Sequence, residues 1–302
     1  MLSILTRVGL EANPVLFDLT LCLAAQSDTD FEWIILARPN FSSVLSQFHQ
    51  ILTPHANLNA RTRIVNCASD NRSTLLNIGL SEAKGDYLVV LDDDDLVTSD
   101  FVEIFNNAAI EYAGLGLQPA LRTLPSSKIV EHSSVKNREL IGKSRINFPW
   151  PDFFDPSEHL KKNSTPCCAI AWPIDAIKSN EILWDETLDR CEDWDFLLQM
   201  ILHAGVIQIP TPTSIYRLFE SGSRSTLNSS SGQWKESEKI IRAKVKTRNY
   251  VFAPVPDLLF FRNLSYKIEA VIFSKLHILR KSNTLYRISR YIYRKFFKNL
   301  ES

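Results

Sequence analysis

Residues 85–96 read Gly-Asp-Tyr-Leu-Val-Val-Leu-Asp-Asp-Asp-Asp-Leu. Tyr87 to Leu91 is a continuous apolar and partly β-branched run, which predicts a central strand buried on both faces. Four carboxylates, Asp92 to Asp95, follow this strand directly. In an open α/β sheet the ligand crevice lies just beyond the carboxyl ends of the strands. The sequence therefore predicts a binding site at Asp92–Asp95.

The four adjacent acids repel one another, and a nearby positive charge makes such a cluster tolerable. A divalent cation supplies that charge, and oxygen-only ligands suit Mg²⁺ or Mn²⁺. In an extended stretch Asp92 and Asp94 point to one side while Asp93 and Asp95 point to the other, so only part of the set can meet one ion. The alternative interpretation is a solvated turn that supplies negative charge to a helix starting near 98–100.

Strands and helices alternate along the first half of the chain, which predicts an α/β fold with a mostly parallel central sheet flanked by helices. The expected strands are Ser3–Thr6, Phe31–Ala37, Arg63–Asn66 and Tyr87–Leu91, and the expected helices are Leu16–Gln26 and Ser73–Lys84. Gly85 is the expected left-handed C-terminal cap of the second helix. Residues 114–164 have weak periodicity and are expected to form binding loops or a lid.

A second acidic group opens a strongly amphipathic segment. Trp194 and the apolar residues 197, 198, 201 and 202 fall on one helical face, with Gly205 as the stop. Glu192, Asp193 and Asp195 therefore lie in the first turn of a helix, where the helix dipole stabilises acids. A purely structural role for the three acids is the alternative to a catalytic one.

The region from Leu76 to Asp95, together with Glu192-Asp193, resembles the family 2 glycosyltransferases with the GT-A fold. The resemblance covers residues 1–225, and it implies that the acidic cluster is the DXD motif that binds a nucleotide-sugar. By this resemblance Asp92 contacts the nucleotide and, with Asp94, the Mn²⁺ or Mg²⁺ ion. Asp93 is the remaining nucleotide contact in that motif.

The resemblance also assigns the catalytic pair and two cations. Asp193 is the expected general base and Glu192 its acceptor-orienting neighbour. Arg72 is the expected contact of the donor diphosphate or sugar, and Arg217 or Arg224 is expected to neutralise the diphosphate. Two features depart from the family pattern: Ala37-Arg38-Pro39-Asn40 replaces the base-contacting Asp after the second strand, and no His metal ligand lies between residues 217 and 246.

The expected function is thus an inverting, metal-dependent glycosyltransferase that moves a sugar from a nucleotide-sugar donor to a saccharide or glycolipid acceptor in polysaccharide or glycolipid biosynthesis. Inversion requires one group to take the proton of the acceptor hydroxyl and another to stabilise the departing diphosphate. The alternatives are a catalytically silent module that binds a nucleotide-sugar or glycan, and a nucleotidyltransferase.

Composition sets the remaining bounds. With 302 residues, of which 45% are hydrophobic, the chain is expected to be globular. We expect a domain at 1–255, with a nucleotide-sugar-binding half at 1–113 and an acceptor half with a flexible loop at 114–255. A basic amphipathic helical tail is expected at 256–302.

The charge is distributed unevenly along the chain. Residues 260–302 hold ten Lys and Arg against two Glu, so the remainder is acidic and unsuited to nucleic acid. The basic tail is suited to an anionic membrane surface, with packing onto the acidic body or a partner as the alternative. Five cysteines without metal spacing favour a reducing cytoplasm, with peripheral attachment to the membrane through the tail.

Overall fold

The fold is taken from a computed structural model that describes residues 1–8, 14–39, 48–130, 144–147, 150–219 and 231–250. These residues form a nine-stranded sheet. Its strands are β1 (Leu2–Val8), β2 (Phe31–Ala37), β3 (Thr62–Asn66), β4 (Tyr87–Val90), β5 (Leu96–Val97), β6 (Ala120–Val130), β7 (Ser144–Asn147), β8 (Ile170–Pro173) and β9 (Val206–Phe219).

The sheet order is β3-β2-β1-β4-β8-β6-β9-β5, with β7 paired to β6. Strands β1 to β4 are parallel, and β8 is antiparallel to both β4 and β6. The chain leaves β1 towards β2 and β3 and then returns to β4 on the other side of β1. The carboxyl ends of β1 and β4 therefore flank the switch point where open α/β sheets bind ligands. The predicted α/β class with a mainly parallel sheet is confirmed.

Helices cover both faces of the sheet. They are α1 (Pro14–Ala24), α2 (Ala56–Asn59), α3 (Arg72–Glu82), α4 (Phe101–Gly114), α5 (Pro156–His159), α6 (Ile174–Ser179), α7 (Glu192–His203) and α8 (Ser231–Thr247), with a further helical turn at 48–52 and a 3₁₀ turn at Cys167–Ala169. All residues of β1, β2 and β4 are buried, and their alternate side chains enter two separate apolar clusters. This double burial explains why these strands read as continuous apolar runs.

Gly85 has a different role from the predicted one. Helix α3 ends at Glu82 with Ala83 in an extended conformation, and Gly85 does not have a positive φ. A Cβ at Gly85 would lie 2.7 Å from the backbone oxygen of Met1 and 2.7 Å from Ser3 Oγ. Glycine is therefore required because the chain passes close to the start of β1, and not because it must turn left-handed.

Residues 114–164 contain more regular structure than expected. The long strand β6 pairs with β8, β9 and β7, so the prediction of loops is wrong for 120–130 and 144–147. Helix α8 follows residue 230 and was not predicted.

The chain divides into a unit of Met1–Tyr250 and a unit of Val251–Ser302. The predicted basic tail at 256–302 lies outside the described residues. A flexible Ser- and Gly-rich run is predicted at 221–233; residues 221–230 lie outside the described residues, and residues 231–233 form the start of α8 instead. Among the described helices, none has the length and apolar character needed to cross a membrane.

Candidate active site

An arginine at the end of β1 joins the two acidic motifs. The guanidinium of Arg7 contacts both carboxylate oxygens of Asp92, with Nε to Oδ1 at 2.9 Å and Nη2 to Oδ1 and Oδ2 at 2.6 and 2.9 Å. Its Nη1 donates to Oε1 of Glu192 at 2.7 Å. The side chains of Arg7 and Glu192 are only 5% and 4% exposed. The ends of β1, β4 and α7 are thus tied together at the switch point of the sheet.

A second arginine completes this group. Arg72, the first residue of α3, donates from Nε to the same Oε1 of Glu192 at 2.7 Å and brings Nη2 within 3.8 Å of Asp92 Oδ2. Burial alone would raise the pKa of Glu192, but Arg72 and Arg7 lower it to about 2. Burial also acts to raise the pKa of Asp92, but the charges of Arg7 and Arg72 outweigh it and lower this pKa. Both carboxyl groups are therefore ionised at neutral pH.

The four aspartates form a turn. The amide of Asp95 donates to the carbonyl of Asp92 at 3.0 Å, and the amide of Asp92 donates to Oδ2 of Asp95 at 2.9 Å. Asp93 and Asp95 are buried, while Asp92 and Asp94 are half-buried. Burial, followed by the charges of Asp94 and Asp92, raises the pKa of Asp95 well above its usual value. Within the turn, the carboxylates at 92 and 94 are thus better exposed than those at 93 and 95.

Asp193 lies beside this group, in the first turn of α7. Its carboxylate accepts from Asn163 Nδ2 at 2.9 Å and from the amide of Trp194 at 2.8 Å. Burial and the neighbouring charge of Glu192 raise the pKa of Asp193 to about 6. Asp193 also lines a small pocket with Thr165 and Cys167. A half-buried carboxyl group with this pKa can accept a proton near neutral pH.

Arg217 is bound to protein groups rather than open to the crevice. It is buried on β9, its Nε donates to the backbone carbonyl of Asp94, and its Nη1 contacts Asp18 Oδ2 at 2.6 Å. Arg217 therefore stabilises the aspartate turn through its hydrogen bond to the Asp94 carbonyl. Of the residues predicted from sequence, Arg72 contacts Glu192 and lies within 3.8 Å of Asp92, and Asp193 lies beside Glu192 in the first turn of α7.

Sequence analysis missed Arg7. Its only sequence signal is an arginine near the end of the apolar first strand, Leu2–Val8. No local pattern shows that this arginine meets carboxylates 85 and 185 residues away.

The third acid of α7 has a structural role. Asp195 is 1% exposed and forms ion pairs with Lys244 at 2.9 Å and Arg248 at 3.1 Å. These cations lie on α8 and on the residue that follows it. Asp195 therefore fixes α8 to α7.

No preformed metal cage was found: the described parts of the chain contain no group of three or more His, Cys, Asp or Glu side chains arranged to hold a metal ion. All five cysteines are unpaired.

Comparison with known proteins identifies chains of similar sequence pattern and fold. Residues 23–152 match the model of Glycosyl transferase family 2. Staphylococcus aureus TarS has a similar structure, with a TM-score of 0.55 at 15% identity over 83% of this chain and 40% of the TarS chain. A TarS 1–349 structure in complex with UDP-GlcNAc gives a TM-score of 0.56 at 14% identity, over 83% of this chain and 68% of that one.

A solved mannosyltransferase also has a similar fold. The mannosyltransferase PcManGT from Pyrobaculum calidifontis, in complex with GDP-Man and Mn²⁺, gives a TM-score of 0.52 at 11% identity over 98% of this chain and 87% of its own. No curated protein sequence matches this chain.

These likenesses define the class of fold, which is the GT-A fold of glycosyltransferases. The match to the model of Glycosyl transferase family 2 runs from the last turn of α1 to the residues before α5, which is less than half of the chain. The chain spans 40% of the length of full TarS.

Proposed function

We propose that this protein is an inverting, metal-dependent glycosyltransferase that transfers a sugar from a nucleotide-sugar to a hydroxyl group of a saccharide or glycolipid. The observation that carries this proposal is the ion-paired group that Arg7 forms with Asp92 and Glu192. It holds the aspartate turn after β4 beside the first turn of α7. A donor site and a base for the acceptor are both needed for transfer, and this contact brings their candidates together.

Asp193 is the proposed base. Inverting transfer needs a group that takes the proton from the acceptor hydroxyl as that oxygen attacks the anomeric carbon. The pKa of Asp193 is raised to about 6 by burial and by Glu192, so this carboxylate is ionised at neutral pH yet more basic than an ordinary aspartate. Glu192 is held by two arginines, and its proposed role changes from orienting the acceptor to fixing Asp193 and raising its pKa.

The aspartate turn supplies oxygen ligands that suit a hard divalent cation. Mg²⁺ and Mn²⁺ sites in phosphate-transfer enzymes commonly use one or two carboxylates and complete their shell with substrate phosphates and water. Asp94 is the residue proposed to hold the ion. Asp92 and Asp93 are proposed to contact the nucleotide. Both carboxylate oxygens of Asp92 accept from Arg7, so Asp92 can act as a metal ligand only if one of these hydrogen bonds is released. A bound ion would neutralise charge on the departing diphosphate.

The comparison structures support the choice of donor class. TarS was solved with UDP-GlcNAc and PcManGT with GDP-Man and Mn²⁺. Both ligands are nucleoside diphosphate sugars, so we propose this class of donor here. We further propose that the acceptor is an intermediate of polysaccharide or glycolipid biosynthesis.

Release of nucleoside diphosphate from a panel of nucleotide-sugars, with Mn²⁺, with Mg²⁺ and with EDTA, tests the proposal. We expect metal-dependent release that is lost in Asp94→Asn and in Asp193→Asn. Asp175→Asn is the matched control, because Asp175 is an exposed carboxylate in the first turn of α6. If no donor is turned over, or if turnover survives both substitutions, the catalytic assignment is wrong.

The same experiment separates the two alternatives. A silent nucleotide-sugar-binding module would bind a donor without releasing nucleoside diphosphate, and Asp193→Asn would leave that binding unchanged. A nucleotidyltransferase would release pyrophosphate instead of nucleoside diphosphate.

The basic tail at 256–302 remains the proposed contact with an anionic membrane surface on the cytoplasmic side. Each basic residue near such a surface contributes about 1 kcal/mol of binding free energy. Deletion of 284–302 is expected to abolish sedimentation with anionic vesicles. Continued sedimentation of the shortened chain would exclude the tail as the anchor.

A further inference from the structure

Arg38 lies at the crevice edge of the sheet, directly after β2. Arg38 follows Ala37, the last residue of β2, and Ala37 pairs with Val8 of β1. The side chain is half-buried, and its Nε is enclosed without a hydrogen-bond acceptor. Within the described part of the chain, Arg38 forms neither a hydrogen bond nor an ion pair.

The charges around Arg38 explain why this is unusual. Arg7 and Arg72, at the ends of the neighbouring elements β1 and α3, are already bound to Asp92 and Glu192. Two cations are thus matched by two anions, and Arg38 is a third cation beside them. Burial and the positive charges of Arg72 and Arg7 lower the pKa of Arg38, and Asp70 and Asp92 offset this only in part.

The nearby acids do not neutralise Arg38. Asp92 is engaged by Arg7 through both oxygens, and Asp70 is an exposed residue of the loop before α3. An anion that enters from the crevice would stabilise a half-buried guanidinium in this position. The anion would also interact favourably with the two neighbouring arginines.

We propose that Arg38 binds a phosphate group of the nucleoside diphosphate portion of the donor. The planar guanidinium fork matches the geometry of phosphate oxygens. The position fits, because β2 lies next to β1 on the edge of the sheet where ligands bind. This inference deepens the proposed function and rests on it, since it assumes a nucleotide donor.

The inference changes which arginines are expected to meet the diphosphate. The sequence predicts Arg72 and Arg217 for this role. In the structure Arg72 donates to Glu192, and Arg217 donates to Asp18 and to the Asp94 carbonyl. Arg38 can bind an anion without breaking an existing contact.

The test is isothermal titration of the full chain with UDP and GDP in Mn²⁺, together with competition by uridine and guanosine. Arg38→Gln is expected to weaken binding of the preferred diphosphate ten-fold or more, since a hydrogen bond to a charged group is lost. Nucleoside binding is expected to stay unchanged, and Arg38→Lys should recover part of the loss by keeping the charge. Arg61→Gln is the matched control, because Arg61 lies at the amino end of β3, away from the carboxyl ends of the strands, and its side chain donates to the nearby Asn57 carbonyl at 2.6 Å.

Each outcome is decisive. Equal diphosphate affinity in wild type and Arg38→Gln overturns the inference and leaves the proposed function intact. Equal losses for diphosphate and nucleoside overturn the phosphate contact in favour of a contact with the base. If the wild-type chain binds neither diphosphate, the donor class of the proposed function fails and the inference fails with it. Urea unfolding of each variant separates these results from a folding defect.

Discussion

Replacement of Arg7 by methionine tests whether the Arg7 group holds the active site together. Methionine keeps much of the side-chain volume but leaves Asp92 without its bidentate partner and Glu192 with Arg72 alone. Removing one partner of a buried ion pair costs about 3–5 kcal/mol. Asp92 is 24% exposed and can regain water, so we expect about 3 kcal/mol, near the low end of that range.

The effect should depend on pH with a defined sign. The folded pKa of Glu192 is about 2, below the value of about 4.3 expected in the unfolded chain. Its contribution to stability is therefore complete above the unfolded pKa and is lost as pH falls towards 2. Asp92 behaves in the same direction because its folded pKa is also lowered. The stability difference between wild type and Arg7→Met should be largest near pH 7 and shrink towards about pH 3.5.

Urea unfolding followed by tryptophan fluorescence at both pH values measures this difference. Lys161→Met is the control, because Lys161 forms an exposed i,i+3 ion pair with Glu158 and its loss should leave stability unchanged. The reasoning is refuted if Arg7→Met is as stable as wild type near neutral pH, or if the difference is the same at both pH values.

Three further predictions follow from individual contacts. The kcat/KM for nucleoside diphosphate release should rise with pH through about 6, because Asp193 accepts a proton only when ionised, and Asp193→Asn should lose both the rate and this inflection. Asp195→Asn should lower the free energy of unfolding by about 1.5–3 kcal/mol, since charge-assisted bonds to α8 are lost; an unchanged urea midpoint would contradict the proposed link between α7 and α8. Gly85→Ala should lower it by about 1–3 kcal/mol through a clash with the backbone of β1. Gly114→Ala, which meets open space in α4, should instead be neutral or stabilising by up to about 1 kcal/mol, and equal effects of the two would argue against the close approach at Gly85.

The strands that the sequence predicted are those whose burial shows in local composition. Phe31–Ala37 was predicted with the bounds that the structure has, because every residue of β2 is buried and the run is apolar. Strand β6 was missed, since it contains buried polar residues such as Thr123 and Ser126. Their hydroxyl groups are satisfied by Thr213 and Ser214 of β9, about 90 residues away. Such long-range hydrogen bonds leave no periodic signal in the strand itself.

The sequence by itself determined the α/β class, the place of the aspartate turn after β4 and the acidic first turn of α7. Each of these follows from short-range patterns, namely an apolar run, the residues that end it and helical spacing. Only the tertiary structure decided which charges pair. Arg7 meets Asp92 and Glu192 across 85 and 185 residues, and Arg217 binds Asp18 and the Asp94 carbonyl. It also left Arg38 unpaired among the described residues, because charge pairing depends on distances in the folded chain and not on spacing along it.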